Sequence, residues 1–331
     1  MIVNNQIFIR ENIVKTIRMY FDKENFHEVF PPLLNNAVPL EPYIYPFSTN
    51  WNTGMQTATF YLPVSPERQM IHYLAAEVGD CYTISPSFRN LENQGSVHSP
   101  EFIMVEWYRI DKKMQTVMDD LSQLIILCKH QLDRLQNKPK NNYLKYGNQS
   151  VDFTLPWPII SLEKLFQDIC QLNYKRFIKD DDYAIKQVIK KGYQTKNARW
   201  EELFTQIFVN EIEPHIPHHP HFLIDFPSRT SPLCLVNPKK PYLAQRFELY
   251  IASVELANGS PENTDENSVR LAFIAEQKRR AKNGLFVPML DEQFLADLHQ
   301  LHLTGKDYPG VGLGLERLIM ILSGEQTIKL V

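Results

Sequence analysis

The chain reads as an α+β protein: an antiparallel sheet with long helices beside it. Three observations predict this. Residues 81 to 89 and 101 to 109 are strand-like and flank a polar loop, so they form an antiparallel pair. Residues 244 to 257 carry another strand pattern that turns back on itself. Helical periodicity covers a few long segments that are grouped between the strands and do not alternate with them one for one.

The elements follow in order. Ile9, Ile13, Val14, Ile17 and Tyr20 or Phe21 recur at helical spacing over residues 7 to 25. This helix feeds a strand-like segment that ends at Pro31-Pro32, and a Pro-rich loop follows (Pro39, Pro42, Pro46). Ser65-Pro66-Glu67 reads as a helix start, with Ser65 as N-cap and Pro66 in the first helical position. Leu121, Leu124, Ile125, Cys128 and Leu132 line one side of a helix over 117 to 135. From about 136 to 220, Lys- and Asn-rich stretches alternate with helical ones at 161 to 172, 182 to 191 and 198 to 211. This segment reads as a helical insertion packed beside the sheet, within a single domain over 1–331. Strands return at 221 to 226 and 244 to 257, and helices at 265 to 282 and 291 to 302. A glycine-rich strand then runs into a helix from about 315.

With 44% hydrophobic residues, the 331-residue chain can bury a substantial core. Lys+Arg 35 against Asp+Glu 38 gives a net charge of -3, which excludes affinity built on many phosphate contacts. The short basic runs Lys239-Lys240 and Lys278-Arg279-Arg280 read as solvated helix ends or loops. Cys81, Cys128, Cys170 and Cys234 are far apart and form no CxxC pair, so neither a zinc site nor a disulfide framework is expected. Met1-Ile2-Val3-Asn4-Asn5 lacks the basic and apolar regions of a signal peptide, so none is expected, and no apolar stretch of about 18 residues could span a bilayer. A cytoplasmic location without membrane contact is expected.

The strand over 101 to 109 has an unusual face: Phe102, Met104, Glu106 and Tyr108 share one side. A carboxylate among aromatic groups packs poorly but binds well, since the ring can stack on a flat ligand and the carboxylate can hold an amine. In residues 246 to 257, a two-residue turn at Ala252-Ser253 sets Tyr250 opposite Glu255 and Glu248 opposite Ala257. Glu248 and Glu255 then lie on one face as diagonal neighbours within roughly 7–8 Å. Two such charges repel unless a cation holds them, and Mg²⁺ escorting a polyphosphate fits. An ordinary exposed sheet face is the equal alternative for that segment alone. Asn258 and Glu262 bring an amide and another carboxylate to the end of this strand. Gly310, Gly312 and Gly314 alternate, leaving a strand face against which a ligand or a helix can lie. Arg317 falls in the first turn of the next helix, where it can join the helix amides in holding a phosphate. His98 sits in the loop between the two key strands. The cluster His215, His218, His219 and His221 lies in a proline-broken loop without a partnering Cys or Asp, so no dedicated metal is expected there.

Arg89, with the segment His98-Ser99-Pro100-Glu101-Phe102 and Glu106-Trp107-Tyr108, resembles motif 2 of the class II aminoacyl-tRNA synthetases. Gly310 to Arg317 resembles their motif 3. Together with Ser65-Pro66-Glu67, Arg246-Phe247-Glu248 and Glu255 to Gly259, the chain is similar to the lysyl branch, and within it to the elongation factor P lysine ligases, from about residue 7 to the end. The resemblance implies a class II antiparallel sheet flanked by helices. It implies ATP-dependent activation of lysine or β-lysine as an aminoacyl-adenylate, with Mg²⁺, and transfer to a lysine side chain of elongation factor P. By resemblance, Arg89 and Arg317 are catalytic and bind ATP with Glu92, His98, Phe102, Glu248, Glu255 and Gly314. Glu248 and Glu255 hold the metal. Glu67, Glu106, Tyr108, Asn258, Glu262 and Gly312 form the amino-acid site. Pro32 is the motif 1 proline of a homodimer interface. The synthetases' anticodon-binding OB domain has no counterpart before the first helix, so anticodon recognition is not expected. Leu91 stands where the family has Glu two residues after the motif 2 arginine, and Ser260 stands where it has Phe. Another acceptor (a tRNA, a carrier protein or a small amine) and a non-catalytic paralogue remain as alternatives.

Overall fold

The computed structural model describes residues 5–38, 40–42, 44–91, 95–196 and 198–328. Helix α1 (Asn5–Lys23) leads into the short strand β1 (His27–Glu28), the hairpin β2 (Ser48–Asn52) and β3 (Thr57–Tyr61), and α2 (Glu67–Ala75). The pair β4 (Cys81–Phe88) and β5 (Glu101–Tyr108) precedes α3 (Met114–Leu135) and a hairpin of β6 (Tyr143–Tyr146) and β7 (Gln149–Asp152). Then come β8 (Ile159–Ser161), α4 (Leu162–Asp168), α5 (Tyr174–Lys179), α6 (Asp181–Lys190) and α7 (Trp200–Ile207). The chain closes with β9 (His221–Ile224), β10 (Phe247–Ile251), β11 (Val254–Pro261), α8 (Glu266–Lys282), α9 (Glu292–Leu303), β12 (Pro309–Gly314) and α10 (Leu315–Ser323).

Eight strands make the main sheet in the order β1-β4-β5-β12-β11-β10-β9-β8. Its centre is antiparallel as expected, whereas each end is a parallel pair, β1 with β4 and β8 with β9. The segment read as an insertion therefore also supplies an edge strand. Its helices close a second core around Phe166, Phe177, Trp200 and Leu203, joined by Leu223 and Tyr250 from the sheet. The hairpin β2–β3 and helix α5 were not legible in the sequence. The hairpin's residues are mostly exposed, and its alternation buries no face.

Period-two alternation divides the central strands between two environments. Val105 and Trp107 of β5, Val311 and Leu313 of β12, and Phe247 and Leu249 of β10 face α1, α3 and α10 in the main core. Trp107 is fully buried, with its ring 5.3 Å from that of Phe21. The neighbouring residues of the same strands face the other way and floor a cleft. A third apolar cluster, built from α2, α8 and α9, stands beside that floor and takes in Tyr108. Helix α2 begins at Glu67 directly after Pro66, and the carbonyl of Pro66 accepts from the amides of Gln69 and Met70. Ser65 does not cap it: its hydroxyl is buried and has no partner among the described residues, and Ser65 lines the cleft. Proline's preset φ starts this helix without a side-chain cap.

No helix among the described residues is long and apolar enough to cross a membrane. Replacing Trp107 with Ala should cost about 3–5 kcal/mol, the usual price of emptying a large aromatic site in a core. Urea unfolding monitored by far-UV circular dichroism would measure it; a loss under about 1 kcal/mol would show that Trp107 does not hold the sheet to α1.

Candidate active site

A cavity of about 470 Å³ lies over β5, β12, β11 and β10. Arg89, His98, Phe102, Glu106, Tyr108, Glu248, Glu255, Asn258, Glu262, Gly312, Gly314, Arg317 and Glu67 all line it. Only Glu92 of the expected site residues lies outside the described ones. Residues more than 200 positions apart thus meet on one floor because β12 inserts between β5 and β11. That order sets Glu106 opposite Gly312, and Gly312 opposite Asn258.

The hairpin β10–β11 turns at Ala252 and Ser253, both with positive φ (53° and 62°). This matches the twist of a two-residue hairpin, although neither residue is a usual occupant. His218 secures it: its carbonyl accepts from the Ala252 amide at 2.8 Å, and its Nδ1 lies 2.9 Å from the Ser253 hydroxyl. Tyr250 faces Glu255 as expected, but the register then shifts. Leu256 is the extra residue, so Glu248 faces Asn258 and not Ala257. A bulge of this kind redirects side chains at a site. Glu248 accepts from Arg246 Nη2 at 2.7 Å and from the Tyr250 hydroxyl at 2.9 Å. Burial and then Glu255 push the Glu248 carboxyl up to about 7, against the pull of Arg246. Glu248 and Glu255 line the same cavity, and a pair of carboxylates beside a polyphosphate site is a donor set that fits Mg²⁺.

Arg89 lies 5.2 Å from the Phe102 ring centroid, and its Nε donates to the Val64 carbonyl at 3.3 Å. Arg317 sits in the first turn of α10. It donates to the carbonyls of Val97 (3.1 Å) and Glu255 (2.7 Å), joining the motif 2 loop to β11. Glu316 beside it also lines the cavity, accepting from the Ile103 amide at 2.8 Å and pairing with Arg10 at 3.0 Å. The glycine face is less open than the alternation suggests. A methyl on Gly310 would fall 2.2 Å from the Tyr108 ring and one on Gly312 2.9 Å from Met104 Sδ, so side chains of β5 already occupy that space. At Gly314 the nearest atoms would be 3.8 Å away.

Carboxylates crowd the remainder of the cavity. Glu106 and Glu262 are 4% and 6% exposed, and each has one buried oxygen with no partner among the described residues. The Tyr108 hydroxyl donates to the other oxygen of Glu262 at 3.0 Å. Burial first, and then neighbouring carboxylates, hold Glu67, Glu106 and Glu262 well above the ordinary range. Sequence reasoning missed Glu41 and gave Arg246 no site role. Glu41 lies in the Pro-rich segment, where no periodicity assigns a face. Arg246 bonds Glu248, Asn258 and Ser231 from just before β10.

The histidine cluster is spent on structure. His219 Nδ1 accepts from the Asp152 amide at 3.0 Å, and His221 is buried and stacked on Tyr250 with centroids 5.8 Å apart.

A family model described as tRNA synthetases class II (D, K and N) matches residues 2–331. The chain belongs to this family. It is also similar to the elongation factor P--(R)-beta-lysine ligase of Buchnera aphidicola subsp. Acyrthosiphon pisum (strain Tuc7), with 30% identity over 326 residues, covering 96% of this chain and 91% of that protein. The protein of the same name from Proteus mirabilis (strain HI4320) is 32% identical, with 97% and 91% covered. The eight-stranded sheet flanked by helices is the α+β architecture that the resemblance implied.

The unliganded cleft should be sensitive to pH. Carboxyls whose pKa is raised on folding keep protons that the unfolded chain releases above about 4.5, so stability is full below that pH and is lost as pH rises through the raised values. Glu106→Gln should stabilise the free protein by about 1–3 kcal/mol at pH 8 and little at pH 5. Thermal unfolding at both pH values would test this. An unchanged difference between the pH values in the variant would exclude Glu106 from the effect.

Proposed function

We propose that this protein is an ATP-dependent ligase that activates lysine or β-lysine as an aminoacyl-adenylate and passes the acyl group to a lysine side chain of elongation factor P. One observation carries the reading: a single cavity on the sheet is lined by the guanidinium groups of Arg89, Arg246 and Arg317 and by the buried carboxylates of Glu106 and Glu262, each with one oxygen that has no partner among the described residues. A polyanion and a polycation are its natural joint occupants.

In the first step, a carboxylate oxygen of the amino acid attacks the α-phosphorus of ATP, and pyrophosphate leaves. Both reactants are anions, so fixed positive charge and alignment account for much of the barrier lowering. Arg89 holds the α-phosphate and Arg317 the far end of the triphosphate, while Phe102 stacks on adenine. Glu92, His98 and Gly314 complete the nucleotide site. Glu248 and Glu255 would hold Mg²⁺, which when bound supplies further neutralisation of the polyphosphate. Glu67, Glu106, Glu262, Tyr108, Asn258 and Gly312 take the amino acid, with the carboxylates on its ammonium groups. Neutral side chains would leave those carboxylates buried and unpaired, and discrimination of about 10⁴-fold follows without editing. In the second step, the amine of the acceptor lysine attacks the acyl carbon, AMP leaves and a proton is released. No covalent enzyme intermediate is needed.

We also propose that residues 1–331 act as one catalytic domain with 136–220 as its insertion, and that two copies associate through the segment around Pro32. Phe30, at 76% exposure, and Leu34, at 53%, flank that proline.

Pyrophosphate exchange into ATP, dependent on lysine or β-lysine, tests the activation step. No exchange with any amino acid would leave the fold without this activity. Incubation with elongation factor P should add one acyl group to one lysine, read by intact-protein mass; transfer only to a different acceptor would replace that part of the reading. Arg317→Ala should lower exchange by about 10²–10³-fold, the usual effect of removing one preorganised charge-stabilising donor, in a protein that still unfolds cooperatively. Leu34→Asp should shift the mass measured by light scattering from dimer to monomer; an unaltered dimer would place the interface elsewhere.

A further inference from the structure

Arg280 belongs to the basic run 278–280, yet it is fully buried near the end of α8. Its Nη2 donates to the carbonyls of Glu41 (2.7 Å) and Ile44 (3.0 Å). Its Nε donates to Glu276 at 2.8 Å, and its guanidinium lies 5.0 Å from the Tyr45 ring centroid. A buried guanidinium is tolerated only when paired and hydrogen-bonded. Here its bonds fix the backbone of one short loop, and that loop carries Glu41 into the cleft. Glu41 lines the cavity beside Glu67, Glu106 and Glu262. Its charge disfavours ionisation of all three, while burial holds its own carboxyl up against the pull of Arg89, Arg246 and Arg280. Two of the four, Glu106 and Glu262, present buried oxygens without a partner among the described residues.

We propose that Glu41 is a fourth ammonium-binding carboxylate of the amino-acid pocket, positioned by Arg280, and that it selects substrates with two amino groups over those with one. The inference rests on reading the cleft as an amino-acid activation site. Each ammonium group offers three N–H donors and a single positive charge. A diamino acid gives the four carboxylates two charges and six donors, whereas a monoamino acid of equal length leaves buried carboxylates uncompensated. A loop residue suits this role because the opposing sheet is already filled by Glu106, Tyr108 and Glu262.

The test is Glu41→Gln in the full chain, with KM values for lysine, β-lysine, 2-aminohexanoic acid and ATP measured by pyrophosphate exchange. The expected result is a rise of about tenfold or more in KM for the diamino acids, as for loss of one hydrogen bond to a charged group, with KM for ATP unchanged and Glu41→Asp retaining most of the affinity. Arg280→Lys should shift the same KM values in the same direction, and combining it with Glu41→Gln should add nothing further. Unaltered diamino-acid KM values in Glu41→Gln, or equal rises for ATP and amino acid, would overturn the proposal. If the wild-type chain exchanges with no amino acid, the activation reading fails, and thermal stabilisation by 1,5-diaminopentane still decides the role of Glu41. Stabilisation of the wild type that Glu41→Gln loses supports the role; equal or absent stabilisation in both overturns it.

Discussion

The molecule is organised around like charges held close together out of water. Glu67, Glu106 and Glu262 line one cavity with Glu41, and their carboxyls resist ionisation because of burial and of one another. Such an arrangement costs the free protein stability, and a cationic ligand removes the cost. On the proposed reading, the cleft would therefore prefer multiply charged amines. It also has a reason to be rigid, since a pocket able to relax would hydrate its carboxylates and lose that preference.

The rigidity comes from the other face of the sheet and from the bonds around the rim. Alternate residues of β5 and β12 are locked in the main core by Trp107, Val311 and Leu313, so their neighbours cannot rotate away from the cleft. Gly310 admits the Tyr108 ring, and the Tyr108 hydroxyl in turn fixes Glu262. At the start of α10, Arg317 pins the motif 2 loop to β11, and Glu316 reaches the backbone of β5. The two adjacent residues of one helical turn thus both line the cavity and both tie down its backbone. The bulge at Leu256 sets Glu248 against Asn258, and Arg246 bonds both.

Membership of the class II family and similarity to elongation factor P ligases agree with this chemistry. The departures are local. Leu91 is exposed with positive φ just beyond β4, and Ser260, where the resemblance implied Phe, lines the cavity. Ser260 shares that cavity with the carboxylates and with Glu41 of the Arg280-anchored loop.

By itself the sequence determined the α+β class, the long helices and the central strand pairs, and every described residue expected at the site, some by resemblance alone, lines the cleft. Those signals are local: a period of 3.6 or 2 buries one face, and a charged residue interrupting an apolar strand face marks a ligand surface. Tertiary structure alone decided what local pattern does not encode. The sequence could not show that Glu41 joins the pocket or that Arg280 leaves the solvated run, because a Pro-rich loop has no periodicity and a buried guanidinium is chosen by carbonyls some 240 positions away. Nor could it place the bulge at Leu256 or the parallel edges of the sheet. Register and strand order are set by packing between distant segments, so they exist only once the chain has closed on itself.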